Sequence, residues 1–440
     1  MNIFRFTSLT LAMAVALASS AQAQSLIDLY DSARGFDATY QSSKSLYEAN
    51  AAKGEQARAG LLPSVGLSMS ANRVNVSSNT PAFDRGGYGS QSATLNASQP
   101  LYRPANVATA EQGKKQIAVA SAQLLAAEQD LIVRVSQAYF DVLASTDNLN
   151  FVQAQNSAVS EQLASAKRNF EVGTSTITDT REAQAKFDLV LAQEIAADND
   201  LRVKKIALDQ LTGRTGSEPL PLEIPLRMAA VTPDDVNLWV AQSQATHPSV
   251  VQAQLALDVA RLEATKAQAG HKPTLDLVGS YGITQNNGSA SSTQDYRNNV
   301  SSVGLSLNMP LFSGFGTQNR IRETLALEDK ASSDLDNAKR NVAQATRTSF
   351  FGVQSGLGQV KALEAAEASS QSALDANKLG YQVGVRINID VLNSQSQLYD
   401  TKAKLAKARY DVLLGGLKLR QANGTLSLQD LQQLNAALAK

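Results

Sequence analysis

Two periodicities alternate along the chain. From Ser25 to Gly60 the apolar residues Leu26, Leu29, Ala33, Phe36 and Tyr40 recur every three or four positions, which predicts a helix, and Gly60 and Pro63 end it. From Ser64 to Val76 the period drops to two. Val65, Leu67, Met69 and Ala71 alternate with Ser64, Gly66, Ser68, Ser70 and Asn72, which predicts a strand with one apolar and one polar face. After a loop over Asn79–Gly89, rich in Pro, Gly, Ser and Asp, Ser92–Leu101 reads as a second such strand. Pro104 then opens a helix that runs to about Val172. Its Leu131, Val135, Ala138, Val142, Leu149, Val152, Val159, Leu163, Ala166 and Phe170 fall three, four or seven apart, the spacing of a coiled-coil seam. At about 1.5 Å per residue such a helix spans roughly 100 Å. A break follows, then a helix from about Asp179 to Leu211 closed by Gly213.

The pattern then repeats. Arg214–Asp235 carries Pro219, Pro221, Pro225 and Pro233 and reads as an irregular connector. Beyond it the chain predicts a helix over Val236–Gly270, a strand over Thr274–Thr284, a polar loop over Gln285–Asn298 and a strand over Ser302–Pro310. A long helix from Gly316 to about Val383 and a last helix to about Ala422 complete the copy. The copies align residue by residue. Tyr139-Phe140 maps onto Phe350-Phe351 and Gly213 onto Gly424 at an offset of 211, while Pro63 maps onto Pro273 and Pro100-Leu101-Tyr102 onto Pro310-Leu311-Phe312 at 210. Matches at offsets of 210 and 211 across most of the chain make it an internal duplication. Its parts are 24–213 and 236–424, joined by 214–235 and followed by a tail, 425–440.

Each copy holds one helix tip. In YQVGVRINIDVLN, Tyr381–Asn393, Val383-Gly384 stops one helix because Gly supplies the left-handed backbone of a helix end, and Asn388 or Asp390 starts the next. Val172-Gly173 and Asp179 are the counterparts in the first copy. Asp179 with Glu182 reads as a capping box.

Composition narrows the setting. Lys plus Arg and Asp plus Glu are 40 each, so no net charge points to nucleic acid, and aromatics are 5%, low for a large packed core. Residues 1–23 read as a secretory signal: Arg5, an apolar run Leu9–Ala18 and the small-residue site Ala21-Gln22-Ala23. Beyond it no apolar run is long enough for a spanning helix. With no Cys there is neither a disulfide framework nor a lipidated Cys, and the two histidines, His247 and His271, read as solvated helix-end residues rather than a metal pair. With no phosphate-binding loop either, the inventory predicts no enzyme, no cofactor and no metal.

Each predicted strand has the length and two-faced pattern of a tilted strand that faces lipid on one side and water on the other. Four strands cannot close a barrel, and open edges are not tolerated in lipid. Eight strands, from two chains, are filled by their own side chains. The small polar inward residues suit a wider wet lumen, so three chains giving twelve strands are expected. The competing reading is a periplasmic coiled-coil structural or adaptor protein whose strands form a small soluble sheet and no pore.

Several segments resemble the TolC family of outer-membrane efflux and secretion channels: GLLPSV after the first helix, the SQPLY and NMPLF strand ends, VGTSTITDTREAQAKFD, VGVRINIDVLNSQSQLYD, and ARYDVLLGGLKLRQANGTLSLQDL. The resemblance covers nearly the whole chain after the signal. It implies an α+β membrane protein: a homotrimer with a twelve-strand barrel in outer-membrane lipid above a coiled-coil α-helical tunnel in the periplasm that tapers shut at the helix tips. It implies a passive exit duct for a tripartite efflux pump or type I secretion system, with a periplasmic adaptor and an inner-membrane transporter of the ABC, RND or MFS kind as partners. By that likeness Asp390 matches the constriction aspartate, and the family's second aspartate falls on Asn393, a departure. Tyr381 and Arg386 match positions that latch the tip shut against those of Thr178 and Asp179. Val172, Gly173, Val383 and Gly384 match the adaptor-docking tips.

Overall fold

The computed structural model describes residues 24–77, 79, 86–223 and 230–436. The signal reading of residues 1–23 and most of the first predicted loop lie outside them. In chain order the helices are α1 (Leu26–Phe36), α2 (Ala38–Ala59), α3 (Pro104–Glu171), α4 (Ile177–Thr212), α5 (Val236–Thr246), α6 (Pro248–Gln268), α7 (Gly316–Gln382), α8 (Asn388–Asn423) and α9 (Leu428–Asn435). The strands are β1 (Ser64–Val76), β2 (Gly86–Tyr102), β3 (Thr274–Asn287) and β4 (Asp295–Asn308). They lie between α2 and α3 and again between α6 and α7.

The chain forms two compact units. Among the described residues, one contains those within 45–123 and 251–338, the other those within 24–44, 124–250 and 339–436. The first unit holds the sheet, antiparallel and ordered β1-β2-β3-β4. Its register puts Val65, Ala97, Gly279 and Val303 in one row and Leu67, Leu95, Tyr281 and Ser301 in another. Directly opposed residues share a face, so the apolar set of every strand lies on one side. The other side carries Ser70 opposite Ser92 and Ser280 opposite Ser302, with hydroxyl oxygens 2.9 and 2.8 Å apart. The apolar face is uncovered within the chain: Val303 is 84% exposed and Met69 74%. The strands run further than their alternation suggested. β2 begins at Gly86, not Ser92, and β3 and β4 take up much of the predicted loop at 285–298. The polar runs Tyr88–Gln91 and Gln285–Asn287 pair because backbone hydrogen bonding needs no apolar side chain.

At one end of the sheet Arg103 forks onto Asp276, with guanidinium–carboxylate distances of 2.7 and 2.5 Å. Nearby, α2 and α3 touch backbone to backbone. A Cβ on Gly113 would stand 2.6 Å from the Gly54 carbonyl oxygen.

The second unit is helical. Leu26, Leu29, Tyr30 and Ala33 of α1 pack with Leu131, Val135, Tyr139 and Phe140 of α3, Leu208 of α4, Tyr410 and Leu414 of α8, and Leu431 of α9. α1 starts on a capping box between Ser25 and Asp28. The predicted helix over 25–60 is broken at Asp37, which is buried, accepts the Tyr40 amide at 2.8 Å and receives both arms of Arg134. The predicted helix over 236–270 is broken in the matching place, because Pro248 has no amide for an interior turn. His247, read from sequence as solvated, is half-buried there. Its Nδ1 accepts the Ser249 amide at 3.1 Å, and burial pushes the imidazole pKa below its ordinary value. Each break meets the glycine that ends the last helix of its repeat. A Cβ on Gly213 would enter the Phe36 ring, and one on Gly424 would stand 2.5 Å from the His247 Cα. Both glycines hold φ near +70°, at 69° and 77°. The paired aromatics repeat as well: Tyr139–Phe140 and Phe350–Phe351 are both edge-to-face at 5.6 Å.

Replacing Gly113 by Ala should cost about 1–3 kcal/mol by overpacking α2 against α3. Gly352→Ala, where an added methyl meets no atom within 4 Å, should cost less than about 0.5 kcal/mol or stabilise. Denaturant unfolding of the two variants beside the parent checks the difference.

Candidate functional site

The two tips have one backbone. In the first, the Val172 amide donates to Arg168, Gly173 to Phe170, and Thr174 and Ser175 both to Asn169, at 2.8–3.2 Å. In the second, Val383 donates to Leu379, Gly384 to Tyr381, and Val385 and Arg386 both to Gly380, at 2.9–3.1 Å. Every donor and acceptor is displaced by 211. Gly173 and Gly384 sit at φ 78° and 76°, a conformation that strains any residue with a Cβ. The turns present Val172, Val383 and Val385 to solvent, each at least 66% exposed.

The side chains differ where the backbones do not. α4 is capped by Thr176, two positions before the first residue of the predicted pair Thr178 and Asp179. The Thr176 hydroxyl accepts the Asp179 amide at 3.2 Å, and an Asp179 carboxylate oxygen accepts the Thr176 amide at 3.0 Å. The capping box is therefore Thr176 with Asp179, not Asp179 with Glu182, because helical geometry begins one residue after Thr176. Ser175 also donates to Asp179 at 2.7 Å, and these donors hold its carboxyl below the usual carboxylate range. At the matching position α8 has Ile387 and no side-chain cap. Asp390 is therefore released from capping, and its carboxylate lies 3.6 Å from Arg386.

Thr178 lies exposed in the first turn of α4, and Asn393 lies exposed three residues beyond Asp390, on the same side of α8. The Tyr381 hydroxyl accepts from Asn169 at 3.4 Å, and that bond joins the two tips. Leu392, with Ile389 partly buried beside it, packs against Val159, Leu163, Ala166, Ala183 and Val190 of the first hairpin. The tips are thus one packed body in which Asp390, Asn393 and Arg386 stay accessible. Within one chain Arg386 meets Asp390, while Asp179 is held by its own turn. Sequence reasoning missed Asn169, Ser175 and Thr176. Thr176 was signalled by the Thr-x-x-Asp spacing of a capping box. Asn169 had no signal, because its partner is distant in sequence.

Among the described residues no helix is long and apolar enough to cross a membrane, and no cluster of metal-binding side chains occurs. The surface with the character of a membrane wall is the two-faced sheet.

Comparison with known proteins agrees with both features. The profile of the family described as "Outer membrane efflux protein" matches residues 29–214 and again 239–425, once per repeat. Outer membrane protein TolC of Vibrio cholerae is 36% identical over 423 residues, covering 96% of this chain and 95% of that protein. The alkaline protease secretion protein AprF of Pseudomonas aeruginosa is 30% identical, covering 96% and 88%. The crystal structure of the outer membrane protein VceC from Vibrio cholerae superposes with a TM-score of 0.78 at 19% identity, covering 91% of this chain and 96% of that one, and so shares the fold. The chain belongs to the outer membrane efflux protein family. It is an outer-membrane efflux or secretion channel protein, not an enzyme, and its helical part lies on the periplasmic side.

Removing the Thr176 hydroxyl with Thr176→Ala should cost the first turn of α4 about 1 kcal/mol, and Ile387→Thr should supply the missing cap and stabilise α8 by a similar amount. Hydrogen exchange of the first-turn amides, corrected for intrinsic rates, reads both. The Asp179 contribution has a defined sign with pH. A carboxyl held low in the folded chain stabilises it fully above its ordinary value near 4, and the stabilisation is lost as pH falls through the folded value. The first turn of α4 should therefore lose protection on acidification below about pH 4, and Asp179→Asn should abolish that dependence.

Proposed function

We propose that three copies of this chain close their four-strand sheets into one twelve-strand barrel and act as the exit duct of a tripartite efflux pump or type I secretion system. One observation carries the reading: both outer strands, β1 and β4, have one partner each among the described residues, and most large apolar side chains of the sheet's apolar face are exposed. In lipid an unpaired strand edge leaves amides and carbonyls unsatisfied at several kcal/mol each, so the edges must meet edges of other copies. Three copies rather than two suit the small side chains on the polar face, Ser70, Ser92, Ser280 and Ser302, which would not fill an eight-strand bore.

The tips form the gate. Asp390 supplies one ring of three carboxylates and Asn393 a ring of neutral amides below it, so the field at the mouth is weaker than two acidic rings would give. Arg386 and Tyr381 latch the second hairpin to the positions of Thr178 and Asp179. Arg386 is well placed for this because its bond to Asp390 is long and exposed, the kind of pair worth about 0–1 kcal/mol. Val172-Gly173 and Val383-Gly384 offer apolar knobs on glycine turns to a periplasmic adaptor, which couples the duct to an inner-membrane transporter of the ABC, RND or MFS kind. Export of proteins is supported by the likeness to AprF, named for secretion of an alkaline protease. A periplasmic coiled-coil protein without a pore would leave the uncovered apolar face without a role, and extraction from outer membranes only by detergent excludes it.

Single-channel recording in a planar bilayer tests the duct and its latch. The parent should give a small current, and Arg386→Ser should raise conductance or open time severalfold; no current from a folded, inserted oligomer of either protein overturns the reading. Asn393→Asp should strengthen divalent-cation block by about tenfold, as a second close carboxylate ring adds roughly 1–2 kcal/mol of attraction for a cation. Unchanged block would show that Asp390 and Asn393 do not line one constriction.

A further inference from the structure

The two repeats differ at one place in the sheet-bearing unit. Phe312 matches Tyr102 at an offset of 210, whereas Phe350 matches Tyr139 at 211, so the second copy gains a residue between them. In the first copy β2 ends at Tyr102 and α3 starts at Pro104. In the second, Ser313-Gly314-Phe315 precede α7. Gly314 and Phe315 hold φ 60° and 63°. Glycine takes that conformation freely, but an aromatic residue does so only at a cost. The strained turn presents Phe315 outward, 61% exposed, edge-to-face on Phe312, itself 77% exposed, with Leu311 beside them at 89%. These residues directly follow an exposed apolar row, Val303, Leu305 and Leu307 of β4 and the adjoining Met309.

Behind the turn lies a groove of about 680 Å³ bounded by Pro310 and Gly316 and lined by Lys266, Lys272, Arg320 and Glu263. Glu263 is shared by Arg320 at 2.7 Å and Lys266 at 3.4 Å. Arg320 also meets Glu323 at 2.8 Å, whereas Lys272 has no ion pair among the described residues and is the cation of the lining left open to an anion.

We propose that turn and groove together form a phospholipid site. Phe312 and Phe315 enter the boundary between headgroups and acyl chains, and Lys272 holds the lipid phosphate. Aromatic side chains favour that boundary because one part of the bilayer there is apolar and the next is wet. An ammonium group beside it gives the phosphate charge-assisted hydrogen bonds. The apolar row of β4 leads directly into the turn, which makes lipid rather than a soluble partner the occupant. The proposal rests on outer-membrane placement and on no property of the helix tips.

Two measurements on the full-length protein test it. The chain has one tryptophan, Trp239. In phosphatidylcholine vesicles brominated near the headgroup end of the acyl chains, Phe315→Trp in a Trp239→Phe background should be quenched at least about twofold more than the parent. Equal quenching overturns the membrane contact. In detergent, purified protein should retain phosphatidylglycerol detectable by mass, and Lys272→Glu should lower that retention about tenfold. Unchanged retention overturns the groove assignment. Inorganic phosphate should leave the retained lipid in place; displacement by phosphate alone would make the groove a simple anion site and overturn the lipid assignment. Normal conductance alongside either negative result separates failure of this proposal from failure of the duct.

Discussion

The rest of the structure depends on a sheet that cannot satisfy itself. Among the described residues, four antiparallel strands leave two edges of unpaired backbone, and the register gathers the apolar side chains onto one face that is largely uncovered. In water such a surface would aggregate. In a bilayer the exposed face is favourable, and the edges alone remain to be matched. Everything else follows from serving that sheet. Glycines bring α2 onto α3 close to it, and Arg103 ties β2 to β3 at one end.

The duplication then shows where function has diverged from structure. Backbone hydrogen bonds, left-handed glycines, edge-to-face aromatic pairs and cross-strand serine pairs recur at the repeat offset. Those shared features hold the fold. Differences include the helix tip and the turn into the second long helix. At the tip, Thr176 and Ile387 exchange a capped helix start for an uncapped one, and that exchange is what leaves the Asp390 carboxylate available. One substitution of a capping residue therefore alters the electrostatics of a site three residues away without altering the backbone.

Local pattern made most of the elements legible, and unevenly so. The long helices came through within a residue or two, because a seam repeated over many turns averages out single exceptions. The break at Asp37 did not, because it depends on a partner far along the chain, Arg134, and the break at His247, signalled locally by Pro248, was read past. Strand ends were read too short, since polar residues at the margins pair through backbone alone. The tip was located correctly by its Val-Gly pairs, but its internal bonding was not. The Thr176 spacing was present in the sequence and was outweighed by Glu182, which is acidic and equally near Asp179.

By itself, the sequence determined the duplication, the order of helices and strands, the two-faced strand chemistry and the positions of both tips. Each of these is a local or periodic property, set by the 3.6- and 2-residue periods of the backbone and by the conformational freedom of glycine. Only the tertiary structure decided which face of the sheet each strand shares with its neighbours, which helix ends pack on which breaks, and how the two tips pack on each other. Those depend on contacts between residues far apart in the chain, such as Asn169 with Tyr381 and Leu392 with Val159, whose distances are set by packing and not by spacing.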